Sequence, residues 1–224
     1  MTTATIDEYR KIKRGDIITL CDEQTIKQLM EDGVQGAMNG MDLEVKNVRR
    51  VDFEDVAQFY FCDLGGQPEG QPPLVLMVKV VDDEIDRRIY WAPDDFQPGS
   101  RGDLVNNDCL WLFQEPTSKD NFIPAELKFT TQIFQNVEGQ GEVCYQAKGS
   151  EIHGEHHEVS PGGGKPQPAT IVEWLAEAEV ENPELIILEV GGLDEYGERL
   201  DEGGYVIFLQ GAAVGGADIK LLSK

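Results

Sequence analysis

Residues 56–64, VAQFYFCDL, and residues 74–81, LVLMVKVV, are the two most strand-like runs of the chain, and the segment between them, GGQPEGQPP at 65–73, cannot continue either one. In the first run Phe59, Phe61 and Asp63 share one parity and Gln58, Tyr60 and Cys62 the other; the second is apolar on both parities until Lys79. That pattern predicts a half-buried strand beside a fully buried one, paired as an antiparallel hairpin with a long tip. Each apolar side chain removed from water contributes roughly 1.5–3 kcal/mol, so this pair is expected to be the stability centre on which the other segments pack.

Upstream, IDEYRKIKR reads as a helical turn leading into Ile17, Ile18 and Leu20. Asp22 is a good N-cap, and Ile26, Leu29, Met30 and Val34 behind it repeat at helical spacing, which predicts an amphipathic helix. In LEVKNVRRV the apolar parity shifts between Val45 and Val48, the mark of a bulge, and Arg49 and Arg50 are expected to face water. Downstream, RRIYWA, LVNNDCLWLF, FTTQIF and EVCYQA are further strand candidates.

SPGGGKPQPA, at 160–169, is the best linker candidate in the chain. Beyond it Thr170 and Glu173 have capping-box spacing, and Ile171, Trp174, Leu175 and Ala178 form an apolar helical stripe ended by Pro183. ELIILEV and YVIFLQGAAV then read as strands. The expected class is α+β, mainly β: an antiparallel small barrel or sandwich with one N-terminal helix and one helix in the C-terminal unit. The expected organisation is a core domain over 1–158, a linker over 159–169, and a small helix-plus-strands unit over 170–224 docked on the core.

With 224 residues, 40% of them hydrophobic, the chain can build one sizeable core or a core with a satellite. Its 19 Lys and Arg against 42 Asp and Glu give a net charge of −23, which disfavours phosphate-mediated nucleic-acid binding and attracts cationic partners. No apolar run approaches the roughly 20 residues that span a bilayer, and the first residues contain no apolar signal core, so a cytoplasmic protein without membrane insertion is expected. Cys21, Cys62, Cys109 and Cys144 are widely spaced with no CxxC, as buried reduced thiols would be.

All three histidines fall close together, at His153, His156 and His157, interleaved with glutamates that include Glu155. Imidazole and carboxylate are suitable zinc ligands, so these four residues are the candidate site for a divalent metal, the one cofactor the sequence suggests. Gly154 stands where an HExxH motif needs its glutamate. GxSxG, GxGxxG, GxxxxGK[ST] and the EF-hand alternation are all missing, which removes the common nucleophile, phosphate and calcium frames. Glu173, Glu177 and Glu181 would stack one helical turn apart; with Glu184, Asp194 and Glu195 they make the expected partner surface. The resulting expectation is a non-catalytic interaction or adaptor protein docking a basic partner or assembly. Its alternatives are a hydrolase-like metal enzyme using the histidine segment and a small-ligand-binding barrel.

Overall fold

The computed structural model describes residues 4–21, 27, 41–53, 56–65, 74–82, 84–91, 126–130, 142–147, 152–159, 164–176, 184–191, 204–214 and 219–222. Apart from the helical Lys27, these form one short helix, α1 (Ile6–Tyr9), and an otherwise antiparallel β architecture. Twelve strands follow in chain order: β1 (Ile17–Leu20), β2 (Met41–Phe53), β3 (Ala57–Leu64), β4 (Leu74–Val81), β5 (Glu84–Trp91), β6 (Glu126–Thr130), β7 (Glu142–Ala147), β8 (Ile152–Glu158), β9 (Gln167–Ala176), β10 (Glu184–Val190), β11 (Tyr205–Ala213) and β12 (Ile219–Leu222). The mainly β, antiparallel barrel-like or sandwich-like class read from the sequence is therefore observed.

The structure divides the chain differently from the boundary expected at residues 159–169. One compact unit comprises Met1–Trp91, Glu155–Pro166 and Ala213–Lys224; the other comprises Ala92–Gly154 and Gln167–Ala212. The reason is strand pairing between remote segments, since β12 joins β1 and the end of β8 joins β2. The glycine-proline run ends sooner than expected, because Gln167, Pro168 and Ala169 already belong to β9.

In the first unit β1 to β5 form an antiparallel meander with β12 on the free edge of β1. The chain just before β12 also reaches the meander's other end, where the Val214 amide donates to the Arg87 carbonyl at 3.0 Å. One closed face of this sheet holds Ile18, Leu20, Leu43, Val45, Val48, Tyr60, Cys62, Leu64, Leu74, Leu76, Val78, Val80 and Ile89. The expected hairpin is present, with Leu64 opposite Leu74 and Ala57 opposite Val81, and β4 is buried on both faces along most of its length. The parity shift in β2 is a register shift between Val45 and Asn47, which lets Val45 and Val48 share the inner face.

Two local devices orient this unit. Thr5 and Glu8 form a reciprocal capping box on α1, with the Thr5 amide donating to Glu8 Oε2 at 2.7 Å and the Glu8 amide to Thr5 Oγ1 at 3.4 Å. The Thr5 backbone N–H, and then its side chain, hold the Glu8 carboxyl below the usual range. At the β4–β5 turn Asp82 adopts φ 52°, a left-handed position that aspartate tolerates better than most residues.

In the second unit β9 pairs with β10, β10 with β11, and β7 with both β6 and β9, all antiparallel. β10 is buried at every position. Gly191 closes its end at φ 79°, 3.3 Å from the Gly204 Cα when a Cβ is built on it, so a side chain there would meet both a strained backbone and a crowded neighbour.

The helix expected over Thr170–Ala178 is corrected by this sheet, for Gln167–Ala176 is a strand. Thr170, Val172 and Trp174 lie opposite Glu189, Ile187 and Leu185, and strand alternation replaces the helical stripe. The helix expected after Asp22 lies outside the described residues apart from Lys27, which is helical, and the LVNNDCLWLF strand lies wholly outside them. Among the described residues no helix is long and apolar enough to cross a membrane.

Candidate functional site

Strand alternation decides what the histidines can do. On β8 the residues Glu155 and His157 share one face and His156 and Glu158 the other, because Asp52, Val51, Arg50 and Arg49 of β2 stand opposite Glu155, His156, His157 and Glu158 in turn. His156 and His157 are thus splayed by the pleat. His153 belongs to the second unit, its Nδ1 3.2 Å from Thr170 Oγ1. Among the described residues no group of three or more His, Cys, Asp and Glu side chains is arranged to hold a metal ion.

What the pleat does bring together is a polar grid on the first unit. Register places His157, Arg50 and Tyr60 in one row across β8, β2 and β3, and Glu155, Asp52 and Gln58 in the next. Asp52 is its centre: Oδ2 lies 2.9 Å from Arg50 Nη2 and 3.3 Å from His157 Nε2, while Oδ1 accepts from Gln58 Nε2 at 3.2 Å. Gln58 Oε1 accepts in turn from the Tyr60 hydroxyl at 3.1 Å and from Arg10 Nε at 3.4 Å, which ties the end of α1 to the grid. Glu155 reaches His157 Nε2 from 3.8 Å but is largely in water. Burial pushes the Tyr60 phenol above its usual range, so it remains a neutral donor.

A carboxylate against an imidazole is an arrangement that orients the ring for proton transfer. Here the same carboxylate also receives a guanidinium and an amide, so the set fastens three strands and α1 to one another. Spacing along the sequence does not reveal this grid because its members come from four segments; the available signal was the Arg49–Arg50 doublet, since neighbours in a strand face opposite ways.

On the opposite face Arg49 is 8% exposed and paired with Asp63, which corrects its expected exposure to water. Burial outweighs the attraction of Arg49 and raises the Asp63 carboxyl above its usual range. His156, 2% exposed on this face, is depressed to about 4 by burial and then by the neighbouring Arg49 and His157 charges. Cys62 is a buried free thiol pushed far up by desolvation, an inert core residue; Cys21 is also free.

Of the expected partner surface, Glu173 is half-buried on β9 and Glu184 is 6% exposed on β10. Glu173 lies on a strand and not on the expected helix, which corrects its placement; Glu177 and Glu181, its expected stacking partners, lie outside the described residues, as do Asp194 and Glu195. No protein-family profile, curated protein or solved structure matches the chain.

Proposed function

We propose that the chain is a non-catalytic interaction protein whose acidic exterior docks a basic protein partner or assembly. The observation that carries this reading is the net charge of −23 combined with the use made of the arginines. Arg10, Arg49, Arg50 and Arg88 are paired internally with Asp7, Asp63, Asp52 and Asp86. Each pair cancels one cation against one carboxylate and leaves the excess of acidic over basic residues unchanged, so the field facing outward is dominated by the remaining carboxylates. Such a field speeds encounter with cationic surfaces and fades over about 8 Å in physiological salt.

The docking residues are taken from the exposed carboxylates of the first unit, Asp82, Glu84 and Glu155, rather than from Glu173 and Glu184. The test is to capture partners, identify the contact surface, and measure association at two ionic strengths for wild type and for Asp82→Asn, Glu84→Gln and Glu155→Gln combined. A basic contact surface and an association rate that falls steeply with salt, and falls again in the triple variant, support the proposal. A partner whose association ignores both changes overturns it.

A further inference from the structure

Arg87 presents an anomaly of charge. Its neighbours at the same parity on β5, Ile85 and Ile89, belong to or pack on the inner core, and Val78 faces it across β4, so the guanidinium is on the apolar side of the sheet and 7% exposed. Among the described residues its hydrogen-bond partners are neutral oxygens: Nε donates to the Tyr9 hydroxyl at 2.8 Å, Nη2 to the Ala4 carbonyl at 3.3 Å and Nη1 to the Ile85 carbonyl at 3.5 Å. The Tyr9 ring lies under the cation, 5.1 Å from its centroid. Among the described residues no carboxylate is within ion-pair distance of Arg87, in a chain with 42 of them. A buried cation is costly unless an anion matches it.

We propose that Arg87 and the apolar side chains around it form a binding site for a small amphipathic carboxylate, whose place the Ala4–Tyr9 segment takes in this structure. The segment supplies a surrogate for each part of such a ligand. The Tyr9 hydroxyl and Ala4 carbonyl give the cation acceptors, and Tyr9 and Ile6 belong to or pack on the same apolar core as Val78, Val80, Ile85 and Ile89. A carboxylate offers charge-assisted, bidentate bonds that the neutral oxygens do not. The acidic exterior repels free anions, so charge alone is insufficient and an apolar tail must supply the remaining attraction. This inference goes beyond docking of a basic partner and uses none of the same residues.

The experiment titrates the full chain with decanoate, with decanol and acetate as controls for tail and charge, following heat and the Tyr9 ring resonances. Wild type is expected to bind decanoate saturably, one to one, and neither control comparably. Arg87→Met should weaken decanoate by about tenfold or more through loss of the charged bond. Tyr9→Phe, which loosens the segment but leaves the cation, should tighten it by about threefold or more. A Tyr9 that only packs would give the opposite sign or none. Absence of saturable binding by wild type, equal binding of decanol, or an unchanged Arg87→Met affinity overturns the proposal. Should Arg87→Met fail to fold, a Tyr9→Phe variant without a gain in affinity overturns it alone.

Discussion

Thr5-x-x-Glu8 and Thr170-x-x-Glu173 are the same motif with opposite outcomes. The first caps a helix through two reciprocal bonds, whereas the second lies inside a strand with Thr170 1% exposed. The difference lies in the neighbouring residues. After Thr5 come Ile6, Asp7, Glu8 and Tyr9, with one side chain to bury deeply and two acids suited to a helix N-terminus. After Thr170 come Ile171, Val172, Glu173 and Trp174, two β-branched residues and a tryptophan, with buried β10 available as a partner. A capping box supplies about a kilocalorie per mole; a fully buried strand face supplies several, and burial therefore wins on β9.

The sharpest way to break this comparison is on β9. Trp174→Ala should cost about 3–5 kcal/mol. Val172, 1% exposed, should cost about 2 kcal/mol as Ala, while Leu175, 43% exposed, should stay within about 0.5 kcal/mol. A helix would invert the last two, so chemical denaturation showing Leu175→Ala to be the costlier change would remove the strand. On β4, where both faces are out of water, Leu76→Ala should cost about 2–5 kcal/mol, and a loss below about 1 would displace the hairpin from the centre of the core.

Alternation on β8 gives the third prediction. His156 has its folded value depressed to about 4, below the ordinary 6.5, so the unfolded chain takes up the proton first. Stability from this residue is complete above pH 6.5 and is lost as the pH falls towards 4, by about 3 kcal/mol in all. Denaturation at steps between those values should show that extra slope in wild type relative to His156→Gln; parallel curves would mean that His156 is not held neutral. The smallest expected effect returns to the two threonines. Thr5→Val should lose about 1 kcal/mol of cap, and Thr170→Val less than about 0.5, because valine's strand preference offsets the lost contact with the exposed His153 ring. Equal losses would erase the contrast.

Legibility follows apolar density. The β3–β4 hairpin, the β2 bulge and strands β10 and β11 are readable because their buried residues recur with a two-residue period or run unbroken. β8 is not, since IHGEHHE has almost no apolar residue and owes its strand to the backbone ladder with β2. The segment of β9 mimics a helix because Ile171, Trp174 and Leu175 satisfy the helical period by coincidence, while the buried Val172 falls outside that stripe. The polar grid and the Arg87 anomaly depend on register between distant strands, which one-dimensional spacing does not contain.

The pairing of β1 with both β2 and β12 bears on biosynthesis. Leu20 meets Ile219 across that ladder, so the second edge of β1 waits for almost the whole intervening chain to be translated. At about 5–20 residues per second that interval is roughly 10–40 s, during which the nascent sheet presents an open ladder to other polypeptides. Chaperone occupancy on ribosome-bound chains should therefore persist until the β12 codons have been read and the segment has cleared the exit tunnel.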